Sequence, residues 1–191
     1  MLLQLEEKLA RVENKIERYQ EISRSIRSIV EFEKEAAMDK TRSFEIEEKS
    51  LDTLLIAGHR MQGRYEEMGR GLGLVCKKMG RHAAGKPMAL YYDGEYKEEG
   101  ADFEPCIPVN KGKDAEGISI RELKGGRCVS LIHKGPYENL RHSYGKIFSY
   151  MNDKGYKVQL PTREIFRKGP GLIFKGNPNN YLTEIQVLFE D

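Results

Sequence analysis

"GRYEEMGRGLGLVCKKM", residues 63–79, and "GPYENLRHSYGKIFSYM", residues 135–151, are one segment written twice. The offset is 72 residues throughout, without a gap: Gly63 meets Gly135, Tyr65 meets Tyr137, Glu66 meets Glu138, Gly73 meets Gly145 and Met79 meets Met151. The apolar residues carry over too. Tyr65, Met68, Leu72, Val75 and Met79 step by 3, 4, 3 and 4, as do Tyr137, Leu140, Tyr144, Ile147 and Met151, which predicts an amphipathic helix in each copy. The first copy holds Gly69, Gly71 and Gly73, each costing on the order of 1 kcal/mol against Ala inside a helix, so tertiary packing must hold it.

Working outward, each helix follows a strand-like run, "TLLIAGHRMQG" or "RCVSLIHKG", and precedes two more. These are "PMALYYDG" and "DFEPCIPV" in the first half, "REIFRKG" and "YLTEIQVLF" in the second. A strand–helix–strand–strand unit therefore occurs twice, over about residues 42–110 and 117–191, with turn signals at "NKGKDAEG" and "NPNNY". The expected fold is α+β: two halves forming a pseudo-two-fold antiparallel sheet, helices on one face, and a groove at the junction on the other.

The last strand, "YLTEIQVLF" at 181–189, places Thr183, Ile185, Val187 and Phe189 on one face and Leu182, Glu184, Gln186 and Leu188 on the other. Glu184 either sits on a solvated face or looks into the groove. Glu104 occupies the matching strand of the first half, but Pro105 and Pro108 suit that strand to an edge.

Residues 1–41 differ in texture. They lack Gly and Pro, and Leu5, Leu9, Val12, Ile16 and Tyr19 step as a heptad seam, continued out of phase by Ile22, Ile26 and Ile29. So narrow a stripe on a polar helix predicts a coiled-coil dimerisation helix, with residues 1–40 pairing with a second copy; packing back on its own domain is the alternative. Eight Lys and Arg against nine Asp and Glu over residues 1–40 make it no basic arm.

Composition excludes several classes. With 39% hydrophobic and 32% charged residues and no apolar run near the roughly 20 residues a span needs, no membrane protein is expected. The acidic start "MLLQLEEKLARVENK" is no secretory signal, so the expected location is cytoplasmic. Cys76, Cys106 and Cys128 lack metal or disulfide spacing, and His59, His82, His133 and His142 lack metalloprotease spacing, so neither a metal nor a cofactor is expected. "GRGLGL" at 69–74 lies within a helical pattern and is no phosphate loop. A net charge of +2, with no basic helix face, argues against direct nucleic-acid binding.

At "SIRELKGGRCVSLIHKGPYENL" and "YLTEIQVLF" the chain resembles the GyrI-like effector-binding domains, the ligand-sensing modules of many AraC-type and MerR-type transcription regulators. "GPYE" at 135–138 and "TEIQV" at 183–187 carry the likeness, which covers about residues 42–191. "LEEKLARVENKIERYQ" resembles the dimerisation helix of MerR-type multidrug regulators, here without their winged helix ahead of it.

The resemblance implies a receptor for hydrophobic, cationic small molecules, with Glu184 on the floor of an aromatic pocket. A carboxylate withdrawn from water should have a raised pKa until a delocalised cation pairs with it. Tyr137, after the "GP" turn, is the first choice for the wall, followed by Tyr91, Phe166, Phe174 and Tyr181, with Glu104 as a further lining residue. Ordinary core packing is the alternative for each aromatic. The alternative function is a hydrolase of strained cyclopropane-containing toxic compounds, in which Glu184 would activate water.

Overall fold

The computed structural model describes residues 45–170 and 176–190, together with residues 6, 8, 9, 11–16, 18–20, 23 and 27 near the N-terminus, all of the latter helical. Leu9, Val12, Ile16 and Tyr19 of the heptad stripe are half or more exposed. A short helical stretch is thus seen where a long coiled coil over 1–41 is expected; the rest of that expectation lies outside the described residues.

In chain order the elements are β1 (Glu47–Leu51), β2 (Leu54–Gly58), β3 (Met61–Gly63), α1 (Met68–Met79), β4 (Met88–Tyr91), β5 (Ala101–Pro108), β6 (Ser119–Leu123), β7 (Gly126–Lys134), α2 (Leu140–Lys154), β8 (Lys157–Lys168) and β9 (Leu182–Glu190). Among the described residues the strands form one curled antiparallel sheet in the order β1-β7-β9-β8-β4-β5-β2-β6, with β3 on β5. The order reads as its own mirror. β7-β9-β8 of the second half answers β2-β5-β4 of the first, and the halves join where β8 pairs with β4.

Register locates the axis between them. Leu90 lies opposite Glu104 in the first half as Ile165 lies opposite Glu184 in the second, so Ala89 corresponds to Glu164 and Tyr91 to Phe166. Ala89 and Glu164 are themselves paired, which puts the pseudo-two-fold axis between them. The sequence reading missed one device: each half lends its leading strand to the other. β1 pairs with β7 and β6 with β2, and these exchanged strands keep the 72-residue offset.

Both helices pack on one face, as expected. Val75 and Met79 of α1 meet Ala57 and Ile107, while Leu140, Ile147 and Met151 of α2 meet Val129, Leu131, Ile185, Val187 and Phe189. A Cβ on Gly71 would lie 2.5 Å from Pro105 Cγ, so that glycine lets α1 sit directly on β5. Gly155, at φ 72°, ends α2 in the left-handed region, its N–H reaching the carbonyls of Asn152 and Met151. The curl buries the helix-free face too: Ile56, Leu90 and Cys106 there are fully buried.

Candidate functional site

The chemistry at the axis belongs to Glu164. It lies across from Ile185 on the helix side of the sheet and is only 5% exposed. Tyr91 donates to its Oε2 at 3.0 Å and Tyr144, from α2, to its Oε1 at 2.9 Å. Burial raises the pKa of this carboxyl; the two phenol donors pull it back part of the way, to about 7. Both phenols are pushed well above their ordinary value, first by burial and then by the facing carboxylate. No ion pair to Glu164 occurs among the described residues, so the site holds a carboxylate ready to ionise and no cation to meet it.

The repeat supplies the walls in pairs. Tyr65 packs edge-on against Tyr91 with ring centres 5.7 Å apart, and its repeat partner Tyr137 packs the same way against Phe166, also at 5.7 Å. Tyr137 also leans on Tyr181 at 5.4 Å, and Tyr65 on Phe103 at 5.8 Å. A Cβ on Gly169 would lie 2.7 Å from the Tyr137 hydroxyl, so glycine there lets the chain leaving β8 close over the ring. Thr183 Oγ1, on the same face, is buried without a hydrogen-bond partner. The symmetry is broken at the centre, where alanine stands in one half and glutamate in the other.

Of the residues expected in a site, Tyr91 hydrogen-bonds Glu164, Tyr137 lies within reach of its charge and packs on Phe166, and Tyr181 packs behind Tyr137. Phe174 lies outside the described residues. Glu184 is buried at 4% exposure, on the face away from Ile185 and Val187 as expected, but its charge state is the reverse of the expected one. Burial acts to raise its pKa, but donors from Lys49 and Gln186 and the charges of Lys49 and Arg167 outweigh this and take it to about 2. Lys49 Nζ lies at 2.5 Å, Arg167 Nε at 2.7 Å, Gln186 Nε2 at 2.7 Å and Ser130 Oγ at 3.1 Å. Lys49 arrives on the exchanged strand β1, which the sequence reading did not foresee.

Glu104 is the pseudo-symmetric counterpart of Glu184, paired through Oε2 with Arg121 and Tyr92. It lies within an internal strand flanked by β2 and β4, not at the edge its prolines suggested. Gly58 takes the place that Ser130 has in the second half; a Cβ there would collide with Glu104.

The sequence reading passed over Glu164, Tyr144 and Tyr65 as site residues. In "TREIFRK" charged residues fall on both faces, so alternation alone does not mark the buried one. The repeat itself signals only Leu72 against Tyr144; at the same 72-residue offset Ala89 meets Pro161, and strand register alone makes Ala89 the counterpart of Glu164. Two surface concavities lie near β3 and the turn that follows it: one of about 390 Å³ beside Arg60, Met61, Gln62 and Asp102, the other of about 300 Å³ bordered by Tyr65 and Tyr96. Tyr65 is thus shared between the second concavity and the enclosure of Glu164. Among the described residues no helix is long and apolar enough to cross a membrane, and no group of three or more His, Cys, Asp or Glu is placed to hold a metal ion.

A duplicated α+β half-barrel enclosing one carboxyl among aromatic rings has the form of a small-molecule-binding domain. The chain belongs to the GyrI-like family: the GyrI-like small molecule binding domain matches residues 44–189. The C-terminal domain of EcmrR is 27% identical, with a TM-score of 0.67 over 77% of this chain and 98% of that one. EcmrR in its complex with DNA is 25% identical, with a TM-score of 0.68 over 91% of this chain and 70% of that one. A hydrolase from Listeria innocua, 13% identical with a TM-score of 0.57 over 83% of this chain and 98% of that one, shares the fold. So does SAV2435, solved with tetraphenylphosphonium, at 13% identity and a TM-score of 0.53 over 76% of this chain and 94% of that one. No curated relative matches the chain in sequence.

Proposed function

We propose that this chain is a cytoplasmic effector sensor for hydrophobic cations, the ligand-binding part of a MerR-type transcription regulator or a stand-alone relative, and that its ligand is held over Glu164. One observation carries the reading: a buried carboxyl with two tyrosine donors and no cationic partner among the described residues, enclosed by Tyr65, Tyr91, Tyr137 and Phe166. A delocalised cation is cheap to strip of water, takes up the charge that burial penalises, and gains about 0.5 to 2 kcal/mol for each ring face it meets. The likeness to the EcmrR C-terminal domain supports the regulator assignment. On this reading Glu164 replaces Glu184 as the ligand's counter-charge, and Glu184 and Glu104 serve the other face.

Titration with tetraphenylphosphonium tests it. Saturable binding is expected, sharply weaker in Glu164→Gln and retained in Glu184→Gln. Equal affinity in wild type and Glu164→Gln overturns the proposal.

The exposed stripe of Leu9, Val12, Ile16 and Tyr19 supports pairing of residues 1–40 with a second copy. Light scattering should find a dimer that becomes a monomer when those residues are removed.

A second reading rests on the pKa of Glu164. A carboxyl titrating near 7 suits a general base, as hydrolysis of a strained cyclopropane would need. A water-added product from a cyclopropane-bearing electrophile, lost in Glu164→Gln, would establish this activity.

A further inference from the structure

One side chain ties the turn that presents Tyr137 to the strand before it and the helix after it: His133, the penultimate residue of β7. Its Nε2 lies 3.3 Å from the Pro136 carbonyl and its Nδ1 2.8 Å from Ser143 Oγ, in the first turn of α2. His133 and Ser143 are each only 8% exposed. A carbonyl can only accept, so Nε2 carries the hydrogen; the other nitrogen of a neutral imidazole is then an acceptor, and the Ser143 hydroxyl donates to it. A single ring thus holds both the residue just before Tyr137 and the start of α2. The chain doubles back to allow this. Gly135, at φ 132°, makes the bend, its N–H donating to the Tyr181 carbonyl at 3.0 Å, and a Cβ there would lie 3.4 Å from His133 Nε2.

Packing alone does not require this pair. At the 72-residue offset His133 meets Met61 and Ser143 meets Gly71, and a Cβ on Gly71 would lie 3.4 Å from Met61 Sδ. The first half therefore fills the equivalent place with a thioether over a glycine, neither of which titrates. Only the second half has an ionisable ring there.

The surroundings favour that ring in its neutral form. No carboxylate pairs with His133 among the described residues. Thr183 lies opposite it on β9, with a hydroxyl that makes no hydrogen bond, and His142 of α2 is the ionisable group whose charge acts on it. Burial lowers the pKa of His133, the bond to the Pro136 carbonyl acts to raise it, and the charge of His142 lowers it. A proton added to Nδ1 removes the acceptor of the Ser143 hydroxyl and leaves a buried charge without a counter-charge.

We propose that His133 is a positioning residue for Tyr137: its neutral ring holds the Tyr137 turn against α2, and protonation releases the turn and loosens the wall of the Glu164 enclosure. Only the consequence for ligand rests on reading that enclosure as the binding site; the hold on Tyr137 can be measured without ligand. Because the folded pKa lies below the ordinary 6.5, the hold is intact at pH 7 and is lost in acid.

The full chain, labelled with nitrogen-15 in histidine and carbon-13 in tyrosine, is followed by NMR from pH 8 to pH 5. At pH 8 the His133 ring, identified by its loss in His133→Gln, should show the Nε2–H tautomer. The Tyr137 ring signal, identified by its loss in Tyr137→Phe, should carry a step at the His133 midpoint besides the one that Glu164 causes near 7. His133→Gln, whose amide offers one donor and one acceptor at fixed charge, should lose only the His133 step. Tetraphenylphosphonium should bind wild type and His133→Gln equally at pH 8. Below the His133 midpoint it should bind His133→Gln roughly threefold to tenfold more tightly than wild type, the worth of one hydrogen bond. His133→Met, which copies the first half, should bind more weakly than wild type at pH 8 and decides the matter with the wild-type spectra should His133→Gln fail to fold. An Nδ1–H tautomer, a Tyr137 signal without the His133 step, or a wild-type to His133→Gln affinity ratio that is the same at pH 8 and pH 5 overturns the proposal. If tetraphenylphosphonium binds neither protein, the ligand reading of the enclosure fails and the Tyr137 step alone decides the role of His133.

Discussion

Ala89 and Glu164 face one another across the β4–β8 ladder, at positions that the pseudo-two-fold axis exchanges. A duplicated fold would ordinarily set like beside like there. Two carboxylates at that spacing would repel each other in a dry site, whereas alanine leaves room and a single charge. The enclosure is therefore one site shared by both halves: Tyr91 donates from the first half, Tyr144 from the second.

Stability should depend on pH through Glu164. Its folded pKa of about 7 lies above the ordinary 4.5, so between those values the folded protein keeps a proton that the unfolded chain has released. That contribution is greatest below pH 4.5 and is lost as pH rises through 7. Glu164→Gln removes the effect, so its stability relative to wild type should improve by roughly 3 kcal/mol between pH 4 and pH 8. Urea unfolding across that range measures it, and a difference independent of pH contradicts the assignment.

Binding of a hydrophobic cation should release protons. At pH 7 the carboxyl is half protonated, so seating tetraphenylphosphonium against it expels about half a proton per site. Calorimetric titrations in buffers of different ionisation enthalpy should give different apparent heats. Identical heats would mean that the cation does not meet Glu164.

On the other face, Lys49→Met should cost about 1–3 kcal/mol, because Glu184 stays buried with one fewer cation; the exposed end of the lysine keeps the loss below that of a fully buried pair. The sign with pH is opposite to that of Glu164. Glu184, at about 2, adds stability that is present above pH 4.5 and lost as pH falls toward 2, so Lys49→Met should unfold at a higher pH in acid. Lys49→Met with Glu184→Met should recover part of the loss. Acid titrations followed by circular dichroism compare the three proteins.

The glycines of α1 should separate into two kinds. Gly71→Ala drives a methyl against Pro105 and should cost about 1–3 kcal/mol, while Gly69→Ala and Gly73→Ala meet nothing within 4 Å and should each gain up to about 1 kcal/mol. Chemical denaturation of the three variants decides this. A stabilising Gly71→Ala would show that α1 does not rest on β5.

Much of the fold was legible because its signals are local. Tyr65, Met68, Leu72, Val75 and Met79 reveal a helix within 15 residues, and the same stripe 72 residues later reveals the duplication. Strand alternation around Ile185 and Val187 identified the helix-facing side of β9, and the "GPY" turn drew attention to Tyr137, which the structure packs against Phe166 and Tyr181.

Which carboxylate stands apart from a cation was not legible, since that depends on partners distant in the chain. Lys49 reaches Glu184 across 135 residues only because β1 crosses to the other half, and Tyr91 reaches Glu164 across 73 only because β4 and β8 meet at the axis. The amino-acid order by itself determined two similar modules, their helices and the strand faces, through periodicities that neighbouring residues impose on one another. Only the tertiary structure decided that, among the described residues, Glu184 is neutralised by basic side chains and Glu164 is not, because charge compensation depends on distances that strand exchange and sheet closure create.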